Sequence, residues 1–304
     1  MEKKWVFVLG TFDGVHRGHR ELFKQAKRLC AQNNMRPAIL TFDRHPRELL
    51  GREVMLLSLN SERLHMLEST GLECRVLPFN AELAGMNPEE YIAFICSRFN
   101  VGGLLAGSNH TFGRGASGTP AEIVRLAGKY GYKTFIIPPL LSKSGERISS
   151  TLIRGKLLSG EADSAAELLG YNYFIAGRVA KGQALGHTLG YPTANLEFSA
   201  HKLVPARGVY VTVTHIDGRE FQGMTNIGVR PTVSDAGNTT IETFLFDSSA
   251  DLYGKDISVS FIKRIREEKK FPSREALTAQ LRQDELIARA YLSALDAKVQ
   301  KRVF

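Results

Sequence analysis

The chain has 304 residues, of which 43% are hydrophobic and 23% charged, and its formal net charge is +9. This composition excludes a disordered chain, and no apolar run approaches the roughly 20 residues that a membrane-spanning helix needs. The length exceeds that of one typical domain, so we expect two domains, and the basic excess indicates an anionic partner, either nucleic acid or a phosphorylated small molecule.

The first residues and the cysteines bear on the expected compartment. The apolar run near the N-terminus, Trp5–Leu9, is too short for the hydrophobic region of a signal peptide. The cysteines are Cys30, Cys74 and Cys96, an odd number without the spacing of a metal site. We therefore expect a cytoplasmic protein whose cysteines are reduced and mostly buried.

The first half of the chain alternates short β-rich segments with segments of helical periodicity. The predicted strands are 5–9, 38–42, 75–77, 101–106 and 133–137, and the predicted helices are 21–31, 61–69, 88–98, 120–130 and 152–159. In the first helix Leu22, Phe23 and Ala26 begin an apolar stripe that would pack on a sheet. This alternation predicts an α/β domain with a Rossmann-like, doubly wound parallel sheet, which binds ligands at the C-terminal ends of its strands.

The second half contains strand patterns without helices between them. The predicted strands are 174–179, 208–216, 220–227, 241–246 and 257–262. Strands joined without crossover helices pair antiparallel, so we expect an antiparallel β-barrel followed by a terminal helix with Leu277, Leu281 and Leu295 on one face. The predicted domains are residues 1–170 and 171–304.

The segment GTFDGVHRGH, residues 10–19, joins the first predicted strand to the first predicted helix. Free N–H groups of a glycine-rich turn and the positive end of a helix meet there, which predicts a phosphate site. His16 and His19 lie three residues apart, so both imidazoles can face one phosphate as donors able to carry positive charge. The glycines expected to allow positive φ and leave room for the ligand are Gly10, Gly14 and Gly18.

Two other interpretations of the histidine pair stay open on these residues alone. One histidine could cap the helix while the other lies on the surface. A zinc site is also possible, but Asp13 alone does not complete the ligand set. The position at the predicted ligand-binding edge of the sheet favours the phosphate site.

Two motifs in this half resemble the signatures of the nucleotidyltransferase superfamily. Residues 16–19, HRGH, resemble its HxGH motif, and residues 148–154, ISSTLIR, resemble its ISSTxxR motif. Taken physically, the hydroxyls of Ser149, Ser150 and Thr151 can cap a helix. One turn further along, Arg154 supplies a cation for nucleotide phosphates.

Further segments resemble one branch of that superfamily, the bacterial bifunctional riboflavin kinases/FMN adenylyltransferases, or FAD synthetases. These segments are TFDRHP at 41–46 and GSNHTFG at 107–113. The resemblance implies that flavin is bound by His45, Asn109, His110 and Phe112, with His110 standing where the family usually has Phe. It implies ATP or phosphate contacts from Gly10, Phe12, Gly14, Gly18, Ser149, Ser150 and Thr151.

The second half resembles the riboflavin kinase of the same family. Residues 186–196, GHTLGYPTANL, contain its PTAN motif, in which Thr193 and Asn195 are neutral oxygen ligands suited to Mg²⁺ that keeps waters and nucleotide phosphates. The preceding glycines, including Gly182 and Gly186, would form a loop over the phosphates. His187 stands where the family usually has Arg or Lys.

Glu242, in the segment ETFLFD at 242–247, matches the catalytic base of the kinase family, and Phe244 stands where His is usual. A carboxylate on a strand among apolar neighbours can accept the proton of a primary hydroxyl, although a solvent-facing edge glutamate is the alternative. The segments 226–232 (NIGVRPT) and 251–255 (DLYGK) match the family as well.

The resemblance implies FAD biosynthesis in two steps. Riboflavin and ATP would give FMN and ADP in the C-terminal domain, with Mg²⁺ and Glu242. FMN and ATP would then give FAD and pyrophosphate in the N-terminal domain, with His16, His19 and Arg154. The expected partners are small-molecule substrates, with no nucleic acid and no membrane, and the oligomeric state stays open.

Two rival functions make different predictions. A monofunctional adenylyltransferase of the same superfamily leaves the PTAN motif and Glu242 unexplained. A nucleic-acid-binding protein with an OB-like barrel predicts aromatic and basic side chains along the barrel strands, whereas Val211, Val213, Phe221 and Met224 alternate mainly with neutral residues.

Overall fold

The structure, a computed structural model, describes residues 2–49, 55–180, 191–229, 239–248 and 252–300, with only the backbone for residue 49 and residues 296–300. The chain divides into two compact units, Met1–Leu152 and Ile153–Phe304. The predicted domain boundary after residue 170 stays a prediction. Within the described ranges, no helix has both the length and the apolar character needed to cross a membrane.

The first unit is built on a parallel five-stranded sheet. Its strands are β1 Trp5–Leu9, β2 Arg36–Phe42, β3 Glu73–Leu77, β4 Val101–Gly107 and β5 Lys133–Ile137. They lie in the order β3-β2-β1-β4-β5, so the strand order reverses between β1 and β4. The predicted Rossmann-like fold is confirmed, and this reversal is the point at which such sheets bind ligands.

Helices flank the sheet on both faces. They are α1 Arg17–Asn33, α2 Pro46–Leu49, α3 Asn60–Glu68, α4 Ala81–Gly85, α5 Pro88–Arg98 and α6 Pro120–Tyr130. Helix α1 begins at Arg17 instead of the predicted residue 21, because His16 takes the N-cap position. The short helices α2 and α4 were not predicted, since a single turn carries no recognisable periodicity.

Strand β1 is buried along its whole length because both faces of the sheet are covered. Its side chains alternate between two cores: Phe7 packs in the core that includes Ile92 of α5, and Val8 packs in the core that includes Phe23 of α1. The core of this unit therefore lies on both sides of the strand that leads into the glycine-rich turn.

The cysteines differ in burial. Cys30 is buried, Cys74 and Cys96 are half-buried, and all three are free thiols. Burial raises the pKa of Cys30 and Cys74 to about 11 and raises that of Cys96. The expectation that the thiols are mostly buried therefore holds in full for one cysteine and in part for the other two.

The described strands of the second unit form a closed antiparallel barrel, as predicted. They are β6 Tyr173–Ala180, β7 Ala194–Glu197, β8 Gly208–Ile216, β9 Arg219–Val229, β10 Thr239–Leu245 and β11 Asp256–Arg266, in the order β10-β7-β6-β11-β8-β9. Strand β7, which carries part of the PTAN motif, was not predicted. It pairs with β6 on one side and β10 on the other and so closes the barrel.

The helices described after residue 149 are α7 Ser150–Leu158, which begins in the first unit, α8 Ala162–Leu169 and α9 Arg274–Gln300. The predicted terminal helix is α9, whose Ala288 and Leu292 pack on the outside of the barrel. Asp284 of α9 is fully buried and accepts two hydrogen bonds from Arg266 Nε of β11, at 3.0 and 2.9 Å. This ion pair ties the helix to the barrel, and breaking a buried pair of this kind typically costs about 3–5 kcal/mol.

Candidate active sites

The turns after β1, β2 and β4 lie at one edge of the parallel sheet, because these strands are neighbours. They contain Gly10–His16, Asp43–His45 and Ser108–Phe112. The sheet therefore brings the predicted phosphate-binding turn and the two predicted flavin-binding segments to neighbouring strand ends.

The backbone of the turn after β1 differs from the expectation for its glycines. Gly14 has a φ of 76°, as predicted, but Gly10 and Gly18 are not in the positive-φ region, and that prediction is wrong for both. They are needed for space: a Cβ on Gly10 would lie 2.7 Å from the Phe12 ring, and one on Gly18 would lie 3.1 Å from the His16 ring. Phe12 takes positive φ instead, at 57°.

A buried hydrogen-bond network fixes this turn. The Asp13 carboxylate, 3% exposed, accepts from the N–H of Leu57 at 3.2 Å and from the N–H of Ser58 at 3.0 Å. The Gly14 N–H donates to Ser58 Oγ at 2.9 Å. The Gly14 N–H is thus bonded within the protein, and the predicted contact of Gly14 with a phosphate stays a prediction.

His16 and His19 lie against each other at the start of α1. Their ring centroids are 3.5 Å apart with the planes 19° from parallel, and the edge of Phe12 packs on His19 with centroids 5.2 Å apart. His16 Nδ1 accepts from the His19 N–H at 3.3 Å, so we assign the His16 proton to Nε2. His16 therefore caps the helix through Nδ1, and its ring proton lies on Nε2.

The charge state of His19 bears on the expectation of two donors able to carry positive charge. Burial, with a smaller contribution from the neighbouring His16 ring, holds the pKa of His19 well below its ordinary value of 6.5. His19 is therefore neutral at neutral pH in the free protein. Its Nδ1 is buried and has no hydrogen-bond partner among the described residues.

The ISST segment meets the same turn. Ser150 Oγ donates to the Asp13 carbonyl at 2.9 Å, and Ser149 Oγ accepts from the Leu152 N–H at 3.2 Å and so caps α7. Thr151 is exposed, and Arg154, half-buried, lies one turn further along α7. The Ser150 bond brings these two predicted segments together across most of the first unit's sequence.

The predicted flavin-binding residues lie after β2 and β4. His45 Nδ1 accepts from the Arg47 N–H at 3.2 Å, and Asn109 is exposed. The His110 ring stacks on Phe112, with centroids 5.9 Å apart and planes 13° from parallel. His110 Nε2 is buried without a partner in the described part of the chain, and burial lowers the pKa of His110 to about 4.

In the barrel, the register brings Glu242 and Asn195 together. Glu242 of β10 lies directly opposite Asn195 of β7 and, on its other side, directly opposite Asn226 of β9. Directly opposed residues project from the same face of a sheet, with Cβ atoms about 5 Å apart. The carboxylate of Glu242 thus has a carboxamide on each side, and Thr193 immediately precedes β7.

Apolar and acidic groups surround this row. Phe244 lies two residues from Glu242 and so on the same face of β10, and its ring packs against Tyr191 with centroids 4.9 Å apart. A Cβ on Gly228 would lie 2.6 Å from Glu268 Oε1 and 3.1 Å from Asn226 Nδ2, so this glycine lets the two side chains approach. Gly182, Gly186 and His187 lie outside the described residues.

Groups of three or more His, Cys, Asp or Glu able to hold a metal ion are absent from the described residues. The predicted magnesium ligands are of another chemical class, since Thr193 and Asn195 offer neutral oxygens. Such oxygens suit Mg²⁺ that keeps waters and nucleotide phosphates, so the donor set fits the predicted ion.

Comparison with known proteins matches each half of the chain to a family model. Residues 1–152 match the family model of FAD synthetase, and residues 169–292 match that of riboflavin kinase. The relative from Bacillus subtilis (strain 168), a bifunctional riboflavin kinase/FMN adenylyltransferase, is 34% identical over 301 residues, covering 97% of this chain and 94% of the relative. The chain belongs to the bifunctional riboflavin kinase/FMN adenylyltransferase family.

Other similar proteins cover nearly the whole chain. The bifunctional riboflavin kinase/FMN adenylyltransferase of Escherichia coli (strain K12) is 33% identical over 291 residues, covering 94% of this chain and 92% of the relative. A solved structure titled macrolide-efflux protein from Streptococcus pneumoniae is 32% identical, with a TM-score of 0.85 and 95% of each chain covered. The predicted family is confirmed.

The protein is an enzyme of FAD biosynthesis, as the sequence predicts. It phosphorylates riboflavin to FMN with ATP in its C-terminal half and adenylylates FMN to FAD in its N-terminal half, the order in which the two family models match. The monofunctional adenylyltransferase is therefore wrong as the function of this chain, and the absence of a nucleic-acid partner stays a prediction.

His110 stands where the resemblance implies Phe, and the structure predicts that His110 makes folding stability depend on pH. Burial lowers the pKa of His110 from 6.5 to about 4, so below pH 6.5 the unfolded chain binds more protons than the folded one. Folding stability is then lost as the pH falls toward 4, by about 2 kcal/mol between pH 7 and pH 5. The variant His110→Phe should lose less stability over this range.

Urea unfolding at pH 7 and pH 5 measures this effect. The fluorescence of Trp5, the one tryptophan of the chain, reports on the first unit. The exposed His65 of α3 serves as control, and His65→Phe should leave the wild-type pH dependence unchanged. Equal losses in the wild type and in His110→Phe would contradict the prediction, since His19 contributes equally to both proteins.

Proposed function

We propose that adenylyl transfer uses the turn after β1 together with the start of α7. The observation that carries this proposal is the stacked pair of His16 and His19 at the N-terminus of α1, beside the strand-order reversal of the sheet. Gly18 lies in the first turn of that helix, whose N–H groups lack intrahelical partners and favour an anion. Ser150, at the start of α7, donates to the Asp13 carbonyl of the same turn.

In this reaction an oxygen of the FMN phosphate attacks the α-phosphorus of ATP. The bond from that phosphorus to the bridging oxygen of the β-phosphate breaks, and pyrophosphate leaves. The attacking phosphate is already ionised, so the protein supplies no nucleophile; it positions the groups and stabilises negative charge. His16 donates from Nε2, and an approaching phosphate raises the low pKa of His19, so that His19 takes up a proton where the negative charge gathers.

Phosphorylation of riboflavin uses the row on the outside of the barrel. Glu242, flanked by Asn195 and Asn226, accepts the proton of the ribityl 5'-hydroxyl. The oxygen of that hydroxyl attacks the γ-phosphorus of ATP, and ADP leaves. Phe244 and Tyr191 offer an apolar surface to the flavin ring. Thr193 and Asn195 would hold Mg²⁺, which when bound neutralises charge on the nucleotide phosphates.

The experiment that tests this assignment follows both products by chromatography from riboflavin, ATP and Mg²⁺. FMN should form first and FAD after it, and excess EDTA should stop FMN formation. The variant Asn195→Ala should need at least about tenfold more Mg²⁺ for half-maximal FMN formation, as expected when a metal site loses a ligand or its support. The conversion of supplied FMN to FAD serves as control in the same variant and should keep its Mg²⁺ dependence.

Unchanged Mg²⁺ dependence of both steps in Asn195→Ala would exclude Asn195 as a ligand. Persistent FMN formation in excess EDTA would exclude a requirement for Mg²⁺ in riboflavin phosphorylation. Magnesium, the roles of the site residues and the cytoplasmic location are thus predictions, whereas the two reactions follow from the family.

A further inference from the structure

A buried arginine lies beside the proposed ATP site and has no role in the mechanism above. Arg63 of α3 is 3% exposed. Its guanidinium donates to four oxygens from three segments: the carbonyls of Thr11 at 3.1 Å and Phe42 at 2.6 Å, Thr41 Oγ1 at 2.8 Å and Asn60 Oδ1 at 3.1 Å.

These acceptors connect two parts of the proposed site. Thr11 belongs to the turn that leads to His16, and Phe42 ends β2 immediately before the segment Asp43–His45. The guanidinium is planar and its donors have fixed directions, so it sets the distance between the two carbonyls that it binds. Lysine would provide a charge at this place but not that geometry.

A buried cation destabilises the folded state through the loss of its hydration. Removing a charge from water costs several kcal/mol, and apolar residues of similar volume are often equally or more stabilising. Burial lowers the pKa of Arg63, with the Asp13 carboxylate acting in the opposite direction. The four hydrogen bonds come from Nη1 and Nη2 of the guanidinium. Three of the four acceptors belong to Thr11, Thr41 and Phe42, which lie in a turn or at a strand end beside predicted substrate contacts.

We propose that Arg63 is a positioning residue for adenylyl transfer. It fixes the turn that holds ATP relative to the strand end that leads to the flavin-binding segment, so that the FMN phosphate meets the α-phosphorus. This inference rests on the proposed N-terminal site. A misplacement of about 1 Å between reacting groups can cost about 100-fold in rate, which sets the size of the expected effect.

Single-turnover kinetics with enzyme in excess over FMN, at saturating ATP, distinguish positioning from folding. A misplaced site lowers the rate constant, whereas a partly unfolded population lowers the amplitude. Arg63→Met should lower the rate constant of FAD formation by about 30- to 100-fold with the amplitude unchanged. Arg63→Lys should fall between Arg63→Met and the wild type, and FMN formation by the other half of the chain should not change in either variant.

Two further variants keep the test decisive. Thr41→Val removes one acceptor of Arg63 and preserves the shape of the side chain. It should lower the rate constant of FAD formation by about three- to tenfold. It therefore tests the proposal even if Arg63→Met does not fold. Arg125→Met, on the surface of α6 and 57% exposed, is the matched control and should behave as wild type.

A lowered amplitude with an unchanged rate constant, or wild-type kinetics in both Arg63→Met and Thr41→Val, would overturn the positioning role. The proposed site itself is tested separately by alanine at His16 and His19. If those changes leave FAD formation intact, the site is wrong, whatever the Arg63 variants do.

Discussion

Alanine at both His16 and His19 is expected to lower the formation of FAD from FMN at least about a thousandfold while riboflavin phosphorylation continues at the wild-type rate. Each donor directed at the developing charge contributes about 3–4 kcal/mol in comparable sites, and each kcal/mol is about fivefold in rate. The two effects will not add, because the stacked rings act on the same phosphate. The measurement is a time course of FAD and FMN, resolved by chromatography, from FMN with ATP and from riboflavin with ATP.

The variant His16→Asn separates chemistry from capping. Asparagine is among the best N-cap residues, so it should replace the bond that His16 Nδ1 now accepts from the His19 N–H. We expect His16→Asn to keep wild-type stability and to lose FAD formation nearly as fully as His16→Ala. Wild-type FAD formation in His16→Asn would mean that His16 only caps the helix, and the adenylyl site would then need another donor.

The sequence predicted the architecture because its signals are local. Strand β1 is a continuous apolar run since both faces of the sheet are covered, and α1 has one apolar stripe since it has one buried face. Strand β7 alternates apolar and polar residues, but it was missed because four residues close to Pro192 are too short a pattern to identify a strand. Its place in the barrel is set by pairing with β6 and β10, which no local pattern records.

The sequence predicted the candidate-site residues that belong to recognisable motifs. The pairing of Glu242 with Asn195 agrees with the expectation that both belong to one kinase site, but Asn226 was quoted only within a matching segment and received no role. Its place opposite Glu242 follows from β9–β10 register. The segment NIGVRPT was the signal that could have drawn attention to it.

The features of the N-terminal site that the sequence did not predict have tertiary causes. The Gly14 N–H donates to Ser58, which lies far along the chain. The neutral state of His19 depends on burial against Phe12 and His16, which spacing alone does not show. Arg63 gives no signal in the sequence, because a buried arginine and a solvated one on a short helix look the same until the helix is placed against β2.

Glutamine at Glu242 is expected to lower FMN formation from riboflavin by about 100- to 10,000-fold, the usual contribution of a general base. Glutamine has the size and much of the hydrogen-bonding capacity of glutamate, so the row formed with Asn195 and Asn226 should persist. What it lacks is the ability to accept the proton of the ribityl hydroxyl. The loss should therefore appear mainly in kcat, with a KM for riboflavin within about threefold of wild type.

Supplied FMN provides the control within the same protein, because Glu242→Gln should convert it to FAD at the wild-type rate. Glu220→Gln, an exposed glutamate on β9 that contacts His215, is the matched control in the barrel and should leave both steps unchanged. Normal FMN formation in Glu242→Gln would mean that the Glu242 carboxylate is not the general base and is only a surface charge. If instead Glu242→Gln and the histidine variants were to stop the same step, the assignment of one reaction to each half of the chain would fail, since each set of residues lies in a different unit.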